Sequence, residues 1–435
     1  MSPMKYSDAL SKLNSRIIMP KTAPGIEKVQ RGLERLALPL SKAASRTLVV
    51  AGTNGKGSVC RTLEHFMAKA GLKTHLFTSP HLVHVQERIR IGEKCISEED
   101  FTTAFSHVDQ LTQDLDLSHF ETLVLVAAWL FYQDPPGPED WFIWEVGLGG
   151  TWDATNAIPH EHSVVTALGF DHQDLLGNTI TDIAKNKFGI FSANQNVYCL
   201  SDYPSDVQSL LSQKIEKLYL NVHLAPPWSY QASPDFPLPI EILHCQWGTI
   251  KLPQPGRHFA ENLNLSLCIL DHLGIDLTFG MRALEQLYWP GRMDMLQPLA
   301  TSGTLILSGD HNPLGAQMLG KTLSSVTYDR VALLVGMGKG KDRKAVLQEL
   351  ANIPRSQLTL THSPFQGCEA GEFSHWLKDG CEYVRDPWQA LTTLLDKCGP
   401  RDLVVVTGSL YLVGKIYSHA LRANWLPLKK RGFFI

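Results

Sequence analysis

The chain has 435 residues, 44% of them hydrophobic, with 40 basic against 43 acidic side chains and a formal charge of -3. That length suits two or three domains, and the near balance of charge gives no global reason to bind nucleic acid or an anionic membrane. No uncharged apolar run approaches the ~20 residues of a membrane span, the amino terminus lacks the apolar block of a signal peptide, and eight scattered cysteines form no C-x-x-C pair, so a cytoplasmic protein with reduced thiols is expected.

In chain order, "RTLVVAG", "KTHLFTSP", "WFIWEVG", "SVVTALGFD" and "NVYCL" read as buried strands alternating with helical segments, the pattern of an α/β fold with a mostly parallel sheet. Between the first two lies "AGTNGKGS". Three glycines within six residues each cost about 0.5–1 kcal/mol in regular structure, so the backbone must wrap something closely. Residues 58–70 follow with Val59, Leu63, Phe66, Met67 and Ala70 on one helical face and Gly71 as a stop. The loop therefore joins a strand to a helix.

From 226 to 257 proline-rich stretches predict loops or edge strands. A second α/β series begins near 304 with "TLILSGD", "RVALLVGMG", "LTLTHS" and "LVVVTGS", which places a domain boundary at about 295, giving units 1–295 and 296–435. The basic end "LKKRGFFI" reads as a solvated tail.

The loop fails the strict G-x-x-x-x-G-K-[ST] pattern, because Val50 stands at the first glycine and Gly57 intervenes before Ser58. The physical arrangement survives: backbone N–H groups of Asn54, Gly55, Lys56, Gly57 and Ser58 at a helix start, Lys56 for the outer phosphates, and Ser58 near a cation. Ser79, Glu145 and His172 each follow or end a predicted strand. In an open parallel sheet such positions converge on one crevice, where a hydroxyl, a carboxylate and an imidazole suit magnesium.

With these residues in place the chain resembles the folylpolyglutamate synthase and dihydrofolate synthase family of Mur-ligase-like, ATP-dependent amide ligases. "AGTNGKGS", "TSPHL", "EVGLGG..DATN", "DH...LG.T...IA..K.GI", "PGR", "HNP" and "GSLYLVG" occur in the family's order over roughly residues 45–415. The resemblance implies a P-loop central domain, a smaller Rossmann-like carboxyl-terminal domain, and typically a monomer. It implies that a pterin carboxylate attacks the γ-phosphate of ATP and that the resulting acyl phosphate is captured by the amine of L-glutamate. It makes Ser79, Glu145 and His172 the magnesium ligands and Lys187 a lysine carbamylated by carbon dioxide. It places Asn262 near adenine and Arg292 on ATP phosphate, gives His311 and Ser409 catalytic duties in the second domain, and puts Asp153, Phe120 and Glu121 at the pterin pocket, with an early pterin-contact segment at Gly25–Lys28.

Three positions depart from the family pattern: Ser308 where an aspartate is common, Thr151 where an arginine is usual, and Asn186 in place of a glutamate before Lys187. They motivate two alternatives, a related ligase acting on another carboxylate and a nucleotide-binding module whose catalysis has decayed.

Overall fold

The structure is a computed structural model that describes residues 4–17, 25–296, 303–378, 381–423 and 425, so the basic tail lies outside the described residues. Its first sheet contains β1 Thr47–Ala51, β2 Lys73–Phe77, β3 Ile89–Ile91, β4 Lys94–Cys95, β5 Asp140–Glu145, β6 His162–Val165, β7 Asn196–Cys199 and β8 Asn221–Leu224. Their order is β4-β3-β2-β5-β1-β6-β7-β8. All neighbours are parallel except the β2–β3 and β3–β4 pairs.

β1 and β5 are buried at every residue, which explains their unbroken apolar runs: a parallel strand covered on both faces has no solvent side to show. Register places Val50 beside Glu145, Ala51 beside Val165, and Phe77 beside Trp144. The carboxyl ends of β1, β2, β5 and β6 therefore share one edge, and the chain departs from β1 toward opposite sides through β2 and β6. This is where a doubly wound sheet opens its crevice. The helix after β1 runs from Lys56 to Lys69, with Gly71 at a φ of 86° just beyond it.

The proline-rich stretch folds as a three-stranded antiparallel sheet of β9 Ser229–Ser233, β10 Ile240–Cys245 and β11 Gly248–Lys251. The outer strand β9 alternates exposed and half-buried residues, the pattern of a strand with only one covered face.

The second sheet contains β12 Asp294–Leu296, β13 Thr304–Leu307, β14 Val331–Val335, β15 Ser356–Thr361, β16 Glu382–Val384 and β17 Leu403–Thr407, in the order β12-β13-β17-β14-β15-β16. β12 is antiparallel to β13, and the other pairs are parallel. Alternate residues go to opposite cores: Leu403 and Val405 pack with Val335 and Leu319, while Val404 and Val406 pack with Leu334 and Ile416. None of the eight cysteines is bridged, and among the described residues no helix is long and apolar enough to cross a membrane.

Candidate active site

One cavity of about 930 Å³ lies between the carboxyl edge of the first sheet and the loops of the second. Its phosphate-facing wall is the glycine loop. Gly55 caps the helix Lys56–Lys69 at a φ of 90°, and a Cβ there would stand 2.3 Å from Asn262 Oδ1. No other residue fits without displacing Asn262. The N–H groups of Lys56, Gly57 and Ser58 precede the first intrahelical bond, from Val59 N to Gly55 O, and so remain free for an anion. Lys56 folds back over the loop and donates to the carbonyls of Gly52 and Thr53 at 3.1 and 3.2 Å.

Ser79 and Glu145 meet under this loop: the Ser79 amide donates to Glu145 Oε2 at 2.9 Å, and a Cβ on Gly57 would come within 3.4 Å of the same oxygen. Glu145 is 4% exposed and has no ion-pair partner among the described residues, so burial raises its carboxyl pKa despite the field of Lys56. A buried carboxylate without a cation is costly, and a divalent ion beside a phosphate loop is the group that would relieve it. Among the described residues no three histidine, cysteine or acidic side chains form a metal cage by themselves. That fits magnesium, which keeps waters and phosphate oxygens among its ligands.

His172 lines the same cavity in a left-handed conformation, φ 49°, but its Nε2 lies 3.1 Å from Lys341 Nζ. Burial brings its pKa down to about 4, with Lys341, His311 and Lys56 adding to the effect against the opposing pull of Asp171.

Lys187 ends the helix Ile180–Lys187, is 3% exposed, and donates to Gly52 O at 2.8 Å. Desolvation, with repulsion from Lys56, lowers its pKa to about 7. The preceding "GLGG" lets two segments touch: a Cβ on Gly150 would be 2.8 Å from the carbonyl oxygens of Asn186 and Lys187.

The second sheet contributes the opposite wall. Arg292, in the connection into β12, is half-buried and places Nη1 3.5 Å from Gly309 O. His311 Nδ1 lies 2.9 Å from Gly309 O, and its Nε2 lies 3.4 Å from Asp171. Ser409 caps the helix Leu410–Arg422 by accepting from Tyr411 N, and it bonds the Ser363 hydroxyl at 3.0 Å. Ser308 donates to Asp310 at 2.6 Å, so the departure at 308 is tied to the acidic residue two positions on.

At the far end of the cavity are Phe120, Glu121, Asp153 and the segment Gly25–Lys28, of which Gly25, Glu27 and Lys28 reach the wall. Phe120 packs so closely on Gly147 that a Cβ there would stand 2.5 Å from its ring. Both acids have structural bonds. Glu121 closes a capping box by accepting from Ser118 N at 2.7 Å, and Asp153 accepts from Thr155 N and Oγ1 on one oxygen and from Leu148 N on the other. Asp153 thus shapes the wall as a turn cap, and burial raises its pKa.

Residues 291–410 match the Mur ligase, glutamate ligase domain family. The dihydrofolate synthase/folylpolyglutamate synthase of Escherichia coli (strain K12) is 30% identical over 405 residues, covering 89% of this chain and 91% of that protein. The chain belongs to this dihydrofolate synthase/folylpolyglutamate synthase family. Among solved structures, E. coli FolC in complex with DHPP and ADP is 27% identical with a TM-score of 0.81, covering 96% of this chain and 98% of that one. A bifunctional folylpolyglutamate synthase/dihydrofolate synthase with Mn, AMPPNP and L-glutamate bound gives a TM-score of 0.80 at 27% identity, again over 96% and 98%. The α/β architecture with a Mur-ligase-like second unit is therefore the family's.

Of the residues that join the two halves, sequence reasoning singled out Asn54 and His311 for other duties but not Asp171, Asn312 or Lys341. Asp171 accepts from Lys341 at 2.7 Å and from Asn312 at 3.3 Å, and Asn312 exchanges two amide bonds with Asn54 of the phosphate loop, at 2.8 and 3.1 Å. Asp171 directly precedes His172 and Asn312 directly follows His311, so their adjacency to chosen residues was the available signal. Lys341 carried none.

Proposed function

We propose that this chain is an ATP-dependent ligase that joins L-glutamate to a folate-type carboxylate, dihydropteroate or a tetrahydrofolate polyglutamate, and that residues 1–295 and 296–435 act as its ATP-binding and glutamate-ligase units. The observation that carries the reading is the single cavity in which a free phosphate loop with Lys56 faces Arg292, His311 and Ser409 from the second sheet, in a chain whose family membership spans nearly its whole length.

A carboxylate is a poor acylating agent because oxide is a poor leaving group. Its oxygen therefore bonds to the γ-phosphorus of ATP with release of ADP, and the amine of glutamate then displaces phosphate from the acyl phosphate as the amide forms. Lys56 and the amides of Lys56–Ser58 carry charge on the transferred phosphoryl group, and Arg292 meets the phosphates from the domain junction. Asn262, packed on Gly55, stands where adenine approaches the loop. Ser79, Glu145 and His172 would hold magnesium, which supplies charge neutralisation on the phosphates. For His172 this requires its Nε2 to exchange Lys341 for the ion. Lys187, an amine with a pKa of about 7 at the foot of the loop, is suited to add to carbon dioxide through its neutral form, losing a proton and becoming an anion. Phe120 and Asp153 shape the pterin end, while His311 and Ser409 orient glutamate. ATP as a substrate, together with eight unbridged cysteines, supports a cytoplasmic enzyme; its acting as a monomer rests on the family resemblance alone.

Product analysis tests this directly: purified protein with ATP, magnesium, L-glutamate and each pterin acceptor in turn should yield an acceptor heavier by one or more glutamyl residues. Phosphate release that neither acceptor stimulates would defeat the folate assignment.

A further inference from the structure

Trp152 lines the cavity yet remains 43% exposed, unusual for a side chain whose large apolar surface normally favours burial. The backbone beneath it is fixed. Thr151 donates to Asn186 O through both N, at 3.0 Å, and Oγ1, at 2.9 Å, and Asn156 Nδ2 donates to Thr151 O at 3.2 Å. Asp153 caps the turn that follows. A Cβ on Gly189 would stand 1.8 Å from Thr151 Oγ1, so the turn is also seated tightly on the chain below it. An exposed indole on a loop this constrained is preorganised for a ligand surface, since the ordering entropy has been lost before binding. Leu148, Leu176 and Phe120 line the same cavity.

We infer that Trp152 is a specificity-determining residue for the acceptor, the flat face on which the bicyclic ring of the pterin carboxylate rests. This rests on the folate-ligase reading. A planar heteroaromatic ring covers an indole and gains both area and π-stacking, which an acyclic or sugar-based carboxylate does not. The departure at Thr151 thereby acquires a purpose: its amide and hydroxyl, bonded to the main-chain carbonyl of Asn186, hold the platform.

Steady-state kinetics of Trp152→Ala and Trp152→Phe with dihydropteroate as acceptor test the inference. The alanine variant should raise KM for the pterin about tenfold, the phenylalanine variant should recover most of that loss, and KM for ATP should stay within twofold in both, about the discrimination expected for one stacked ring. A pterin KM unchanged in Trp152→Ala, with wild-type ligation intact, overturns the inference alone. Absence of pterin ligation by the wild-type protein overturns the folate reading and this inference together. If the alanine variant fails to fold, Trp152→Leu, which keeps apolar bulk without a flat face, should show the same selective rise in pterin KM, and an unchanged value would count against the platform equally.

Discussion

Lys56 is the residue whose removal should be felt most. Its ammonium sits over the phosphate loop and interacts with Glu145, so Lys56→Ala removes a cation from the charge-bearing site and leaves the buried acid less compensated. A loss of about 10²–10³ in kcat is expected from the value of one preorganised electrostatic contact, read by phosphate release in the presence of pterin and glutamate. Lys187 makes a pH-dependent claim. Its amine loses its proton through about pH 7, and only the neutral form adds to carbon dioxide, so activity at limiting bicarbonate should rise with pH from 6 to 8. Added bicarbonate should restore part of the loss at pH 6, and Lys187→Ala should be inactive and indifferent to bicarbonate. A wild-type profile flat in both variables would remove the carbamate from the account. The folded protein holds this proton less tightly than an exposed lysine with a pKa of about 10.4. Between about pH 7 and that value the unfolded chain binds more protons, and the contribution of Lys187 to stability therefore rises with pH.

At the scale of elements, the strand-loop-helix that cradles phosphate was legible in the sequence, because buried parallel strands announce themselves as apolar runs and the tight turn demands glycine. Gly55→Ala should both strain a φ of 90° and drive a methyl into Asn262. A cost of about 1–3 kcal/mol is expected for such a position, seen as a lower Tm together with weakened ATP binding in calorimetry. The contacts that clamp the halves were not legible: Asn54–Asn312 and Asp171–Lys341 span 258 and 170 residues, and nothing local marks a side chain whose partner lies in another domain. Lys341→Met removes a partly buried charged hydrogen bond worth about 1.5–3 kcal/mol and leaves Asp171 to His311 and Asn312. Small-angle scattering with ATP bound should show a larger radius of gyration for this variant than for wild type, with a lower kcat. An unchanged radius would mean that other contacts hold the closure. The short strands β3, β4, β12 and β16 escaped for a related reason: two or three residues are too few to show a period.

In the whole molecule the two larger sheets face one cleft, an arrangement that the alternation of strands and helices indicated, while the site took shape only with the contacts between them. Glu121 and Asp153 illustrate the difference. Their motif suggested pterin contact, and both line the cavity, but only the structure shows that the Glu121 carboxylate also caps a helix and the Asp153 carboxylate a turn of the pocket wall. The platform residue Trp152 lay unnoticed beside them, because its exposure only has meaning once the cavity is known. The central claim is that the acceptor's own carboxylate is phosphorylated before the amide forms. Ligation should be run with dihydropteroate carrying oxygen-18 in its carboxylate, and the released phosphate weighed by mass spectrometry. The account requires one labelled oxygen in each phosphate for every amide made; amide formation accompanied by unlabelled phosphate would contradict it.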